Sequence, residues 1–155
     1  MEVFITNKQK ALVLKRYDEF LAQWGVPYNE ADIPGLWGTT HCIETGSRAN
    51  SPLFLFHGVG DNSAVMWVLN IAELSKYFFC IALDTPGGPG KSTINKDYEK
   101  GFNQEVGDFN KEKRTDYFRL LDNELMSYSI IPNAGHALNM ERHDLVNERI
   151  IRFLK

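Results

Sequence analysis

Apolar positions along this chain fall into short blocks whose spacing differs from one to the next. From Lys8 to Trp24 they recur at Ala11, Leu12, Leu14, Tyr17, Phe20, Leu21 and Trp24, close to the roughly 3.6-residue period of a helix that buries one side. Gly25 and Pro27 end that helix. Leu36 to Thr45 is rich in Thr and lacks a helical period; with Gly46 it predicts a strand and turn leading to a second strand, Pro52 to His57. The centre of that second strand, Leu53-Phe54-Leu55-Phe56, does not alternate with polar residues, the pattern of a strand covered on both faces of a parallel sheet. Residues 63–77 predict the covering helix through Val65, Met66, Leu69, Ile71 and Leu74. Phe78 to Leu83 repeats the short apolar run and stops at Asp84, so strand, helix and strand predict an α/β unit with a right-handed crossover.

Beyond Asp84 the pattern changes. Thr85-Pro86-Gly87-Gly88-Pro89-Gly90-Lys91-Ser92 reads as a loop, and Thr93 to Gly107 carries few apolar anchors. A helical pattern returns over Glu112 to Leu121, a short strand is predicted at Leu125 to Ile131, and Pro132 to His136 forms a tight loop. The last helix begins at Met140, with Leu145, Val146, Ile150, Ile151, Phe153 and Leu154 expected to face a sheet.

Composition narrows the class. A chain of 155 residues supports one domain with a real core, and 43% apolar with 24% charged residues excludes a disordered chain. Seventeen Lys and Arg against twenty Asp and Glu leave a charge of −3, which offers no attraction to a phosphate backbone or anionic lipid. Asn, Lys and Gln interrupt the first apolar residues before a signal-peptide core can form, and no run approaches the roughly 18 apolar residues of a spanning helix. A cytoplasmic protein without nucleic-acid or membrane partners is therefore expected. Cys42 and Cys80 lie in strand-like contexts and match no short redox or metal spacing. His41, His57, His136 and His143 do not repeat at a metal-ligand interval, so neither a metal nor a cofactor is expected.

Five blocks, in order, resemble the carboxylesterase-like α/β-hydrolases. Gly38-Thr39-Thr40-His41-Cys42-Ile43-Glu44-Thr45-Gly46 resembles the early hairpin of that family, and Leu53-Phe54-Leu55-Phe56-His57-Gly58-Val59-Gly60 its strand and His-Gly oxyanion loop. Met66-Trp67 with Asn70 to Ser75 resembles the first covering helix, and Ile81 to Ser92 the strand and glycine-rich loop of D-x-x-G-x-G-x-S form. Ile131 to Glu141 resembles the segment that carries the catalytic histidine. The resemblance implies a reduced α/β-hydrolase fold, a mostly parallel sheet of five or six strands with helices on both faces, in a single domain spanning 1–155.

The family's nucleophile elbow, Gly-x-Ser-x-Gly, does not occur in the sequence, and the central block that would carry it is missing near 104–107. By resemblance His136 is the catalytic base and Asp108 the acid, while backbone N–H groups near Gly58 and Val59 supply part of an oxyanion hole. His57, Gly60 and Asp84 are expected to shape the loops around the pocket. The nucleophile is unassigned. Ser63, Ser92, Ser127 and Ser129 stand outside the required pentapeptide and read as caps, turns or solvated strand residues. Cys80 lies within a buried strand, and Cys42 lacks an identifiable basic neighbour.

A rival reading comes from Gly87 to Ser92, which ends in Gly-Lys-Ser directly after a strand. A phosphate-binding loop needs G-x-x-x-x-G-K-[ST], but Thr85 stands where the first glycine belongs, and Pro86 and Pro89 remove two amide donors. The expected function is thus an ester or acyl hydrolase-like protein, weak or inactive for want of the elbow serine. The alternative is a noncatalytic small-molecule-binding or structural protein. The missing centre also predicts a homodimer formed by edge-strand pairing or exchange.

Overall fold

A computed structural model describes residues 4, 6–36, 38–58, 60–95, 131, 133, 135 and 137–155. The first helix, α1 (Asn7–Leu21), starts where the extended Thr6 turns its hydroxyl to accept the Gln9 N–H at 3.2 Å. It tightens into a 3₁₀ turn, Ala22–Trp24. Tyr17, Leu21 and Trp24 form its buried stripe, and the Trp24 indole N–H donates to the Ala64 carbonyl at 3.0 Å.

Among the described residues five strands follow: β1 (Tyr28–Gly35), β2 (Gly38–Thr45), β3 (Pro52–Phe56), β4 (Phe79–Leu83) and β5 (Thr93–Ile94). Their order is β1-β2-β4-β3, with β5 on β2. The α/β class expected from the sequence is the class observed. Its parallel character is narrower among the described residues: β3–β4 is parallel, while β1–β2, β2–β4 and β2–β5 are antiparallel. The sheet there is mixed rather than mostly parallel, because the early hairpin enters the same sheet as the crossover unit.

Strand β1 has no counterpart in the sequence reading. All eight of its residues are exposed, so backbone pairing to β2, from Tyr28 against Thr45 to Gly35 against Gly38, holds it without an apolar stripe. The turn after β2 requires Gly46, at φ 87, where a Cβ would overlap the Phe78 carbonyl.

The covering helix expected over 63–77 is instead two short ones, α2 (Ser63–Met66) and α3 (Ile71–Leu74). Between them the Val68 N–H reaches the Val65 carbonyl and the Asn70 N–H the Trp67 carbonyl, three-residue bonds in place of four. The break turns Asn70 inward, fully buried, to donate to Asn147 Oδ1 at 2.9 Å. The terminal segment is likewise divided, into α4 (Leu138–Glu141) and α5 (His143–Leu154). Val146 is buried and Ile150 and Ile151 pack on the core, but Phe153 and Leu154 point to solvent, contrary to expectation.

One cluster forms the core, joining Tyr17, Leu21 and Trp24 with Ile43, Leu55, Cys80 and Ala82 of the sheet and Ala64, Ile71 and Leu74 of the short helices. All four sheet residues lie on one face. On the other face Phe54 is registered with Ile81, and Phe56 with Leu83. Phe54 and Phe56 are 56% and 63% exposed, so the double covering expected for β3 is not met among the described residues. No helix among those residues is long and apolar enough to cross a membrane. The expected helix over 112–121, the strand over 125–131 except for Ile131, and the missing block at 104–107 lie outside the described residues.

Candidate active site

The parallel pair β3–β4 brings the loops after both strands to the same end of the sheet, and their side chains interlock there. His57, just past β3, places Nδ1 2.8 Å from the Gly58 carbonyl, while its Nε2 accepts the Thr85 N–H at 2.9 Å. A carbonyl only accepts and an amide N–H only donates, so these partners select the neutral ring with its proton on Nδ1. Nε2 also has Thr85 Oγ1 at 3.2 Å and is therefore engaged by the second loop. Gly58 turns the chain, its carbonyl accepting the Asp61 N–H, and Gly60 occupies the exposed bend at φ 83. Asn62 caps α2 by accepting the Val65 N–H at 3.2 Å and donates to the Pro89 carbonyl at 3.4 Å.

Asp84 is the fastening point between the loops. Fully buried, it accepts the Ser63 N–H on Oδ1 at 2.9 Å and the Lys91 N–H on Oδ2 at 2.8 Å. Its carbonyl accepts the Ser92 hydroxyl at 2.6 Å. Gly90 is required by this close approach, since a Cβ there would overlap the carboxylate. Burial, and then the Asp84 charge, hold the Tyr17 hydroxyl well above the usual phenol range, so it stays protonated.

This arrangement uses the donors that a phosphate would need. The Lys91 amide points inward at Asp84, and the Gly88 amide bonds the Thr85 carbonyl. The Lys91 ammonium lies 2.5 Å from Glu30 and 2.8 Å from Asp18. Burial pulls it down, but these two carboxylates outweigh burial and hold it above its ordinary value.

The C-terminal block docks on the end of α2, beside the first loop. Asn139 donates from Nδ2 to the Met66 carbonyl at 2.6 Å, and Met66 Cε lies 3.7 Å from where a side chain on Gly58 would begin. Gly135 donates its N–H to Glu141 at 2.6 Å. Neither Asn139 nor Asn62 was singled out from sequence, because their partners lie 73 and 27 residues away.

His136, Asp108 and Val59 lie outside the described residues, as do Ser127 and Ser129. Ser63 is fully buried and Ser92 bonds the Asp84 carbonyl, so neither presents a free hydroxyl to solvent. Burial pushes the Cys80 thiol up to about 12; burial and then Glu44 and Asp32 raise that of Cys42. Both thiols are buried and poorly nucleophilic. No group of His, Cys, Asp and Glu suited to a metal ion occurs among the described residues. Clefts of about 680 and 750 Å³ lie between α3 and α5 and between α1 and the glycine-rich loop, and neither is lined by His57, Gly58 or Gly60.

No protein-family model matches the chain. It is similar to carboxylesterase YbfK of Bacillus subtilis, 36% identical over 76 residues, which cover 49% of this chain and 25% of that protein. The chain thus spans about a quarter of the length of the curated relatives it matches. Among solved structures it is similar to the carboxylesterase CesB (YbfK) of Bacillus subtilis, with a TM-score of 0.55 and 27% identity over 64% of this chain and 38% of the other. The naproxen esterase of Bacillus subtilis gives 0.53 and 25%, over 67% and 39%.

Proposed function

Taking as premise that this chain is related over part of its length to the α/β-hydrolase carboxylesterases, we propose that it is an ester- or acyl-binding hydrolase-like protein with weak or absent turnover. The observation that carries this reading is the interlocked pair of loops, where His57 and Asp84 join the ends of β3 and β4 and Asn139 ties in the C-terminal block. Such a scaffold suits an acyl group held beside the Gly58 loop. On this reading His136 is the base, Asp108 the acid, and N–H groups near Gly58 and Val59 form half of an oxyanion hole. The other half comes from the residue after the nucleophile and goes with the Gly-x-Ser-x-Gly turn that the sequence lacks. Loss of one such donor alone costs about 3 kcal/mol, roughly a hundredfold in rate. The domain is a single reduced one, shortened near 104–107.

A fluorophosphonate probe followed by peptide mass spectrometry tests the proposal. We expect no serine adduct and no turnover of a short p-nitrophenyl ester, together with saturable binding of the corresponding carboxylate. A serine adduct that disappears in His136→Ala would refute the inactive reading, and absence of both adduct and binding would refute the acyl site. The noncatalytic alternative gains support from Phe54 and Phe56, whose exposure favours homodimer formation by β3 pairing. A mass in solution that stays monomeric at all concentrations overturns that dimer.

A further inference from the structure

Away from the loop junction, a second set of ionisable groups joins three elements. His41, on β2, has a side chain only 7% exposed, and each of its ring nitrogens faces a carboxylate of β1. Nδ1 lies 2.7 Å from Asp32 Oδ1 and Nε2 lies 3.1 Å from Glu30 Oε2. The Lys91 ammonium, from the glycine-rich loop, shares Glu30 Oε2 at 2.5 Å and reaches Asp18 of α1 at 2.8 Å. The Tyr17 ring meets His41 edge-on at 6.2 Å and lies under the Lys91 ammonium at 4.8 Å. Ser92 accepts the His41 backbone N–H at 2.8 Å, and the Asp84 N–H donates to the His41 carbonyl at 2.9 Å.

We propose that His41 is a pH-operated clasp that fastens edge strand β1 to the sheet. A carboxylate only accepts, and a neutral imidazole has a single N–H, so the ring can donate to both Asp32 and Glu30 only as imidazolium. As imidazolium it leaves three carboxylates, Asp18, Glu30 and Asp32, facing two cations; as neutral imidazole it leaves them facing Lys91 alone. One nitrogen then sets a lone pair against a carboxylate. Strand β1 contributes no buried side chain, so these contacts, with the edge-on Tyr28–Trp24 ring pair at its start, are what attaches its side chains beyond the backbone ladder. Glu30 keeps Lys91 whatever the state of the ring, whereas Asp32, with its side chain 66% exposed, has solvent as its alternative. Asp32 is therefore the contact that opens. The sign follows: the clasp is closed below the imidazole titration and loosens above it.

Amide hydrogen exchange of the ¹⁵N-labelled chain tests this at about pH 5.5 and about pH 8.5, after correction for intrinsic exchange. Protection of the β1 amides bonded to β2 is expected to fall about fivefold at the higher pH, while β3 and β4 amides keep theirs. The His41 ring ¹⁵N shifts should show one nitrogen losing its proton over the same interval. Asp32→Asn, at an exposed position, should abolish the step, because an amide there can donate to the unprotonated nitrogen. Equal β1 protection at both pH values, a step retained in Asp32→Asn, a ring that does not titrate, or a loss shared by all strands would each overturn the clasp.

Discussion

Replacing Asp84 by Asn keeps the volume and one acceptor but turns the other oxygen into an NH₂ group facing a backbone N–H. Asp84 is fully buried, with Ser63 N–H and Lys91 N–H at 2.9 and 2.8 Å, so no water takes over the lost bond at no cost. A hydrogen bond to a charged acceptor contributes about 1.5–3 kcal/mol, and opposing two donors adds to its loss. The expected destabilisation is about 2–4 kcal/mol. With a urea m-value of about 2 kcal/mol/M, the midpoint moves down by roughly 1–2 M at unchanged m. Gly90 supplies the internal control, since a Cβ there overlaps this carboxylate. Gly90→Ala should cost at least about 1 kcal/mol in the native background and measurably less beside Asp84→Ala, where only the Cβ contact at 3.0 Å remains, a coupling that a double-mutant cycle reads directly. An Asp84→Asn change within about 0.5 kcal/mol of the native chain, or additive costs in the cycle, would refute the fastening role.

Three further outcomes are expected. Cys80, held near 12 by burial, carries at pH 8 only about one thiolate in ten thousand against about a quarter of a free thiol, so iodoacetamide should label it only after denaturant is added; mass spectrometry locates the adduct. Trp24→Phe removes the indole bond to the buried Ala64 carbonyl and should cost about 2–3 kcal/mol by urea titration. Asn147→Ala leaves the fully buried Asn70 without its α5 partner, a cost of about 1–3 kcal/mol, and should lower amide protection in α5 before that of the sheet.

How much could be read in advance depended on what holds each element. Helix α1 announces itself because Tyr17, Leu21 and Trp24 repeat on one side, and β4 because its apolar run is continuous to Asp84. Strand β1 leaves no such trace, since a backbone ladder and polar contacts to His41 order it without an apolar stripe. The break between α2 and α3 was hidden for the opposite reason: residues 63–77 have good helical spacing, and the bond from Asn70 to Asn147, 77 positions away, overrides it. At the candidate site, the glycine-rich loop was legible through Asp84 and its following glycines, whose spacing answers a local steric demand. The role of Asn139 was not, because its bond to Met66 depends on how distant segments pack. Pattern reports local geometry and burial; it is silent on polar contacts closed only by the tertiary fold.

The backbone-held strand β1 has a consequence for sequence drift. Because none of its eight side chains enters the core, most of its positions are free to accumulate changes at no cost in packing. Proline is the exception wherever an N–H pairs with β2. A library randomised over Asn29, Ala31 and Ile33 should therefore yield mostly folded clones of widely differing surface charge, making this edge the place where the molecule's outward chemistry can be rewritten while its interior stays constant.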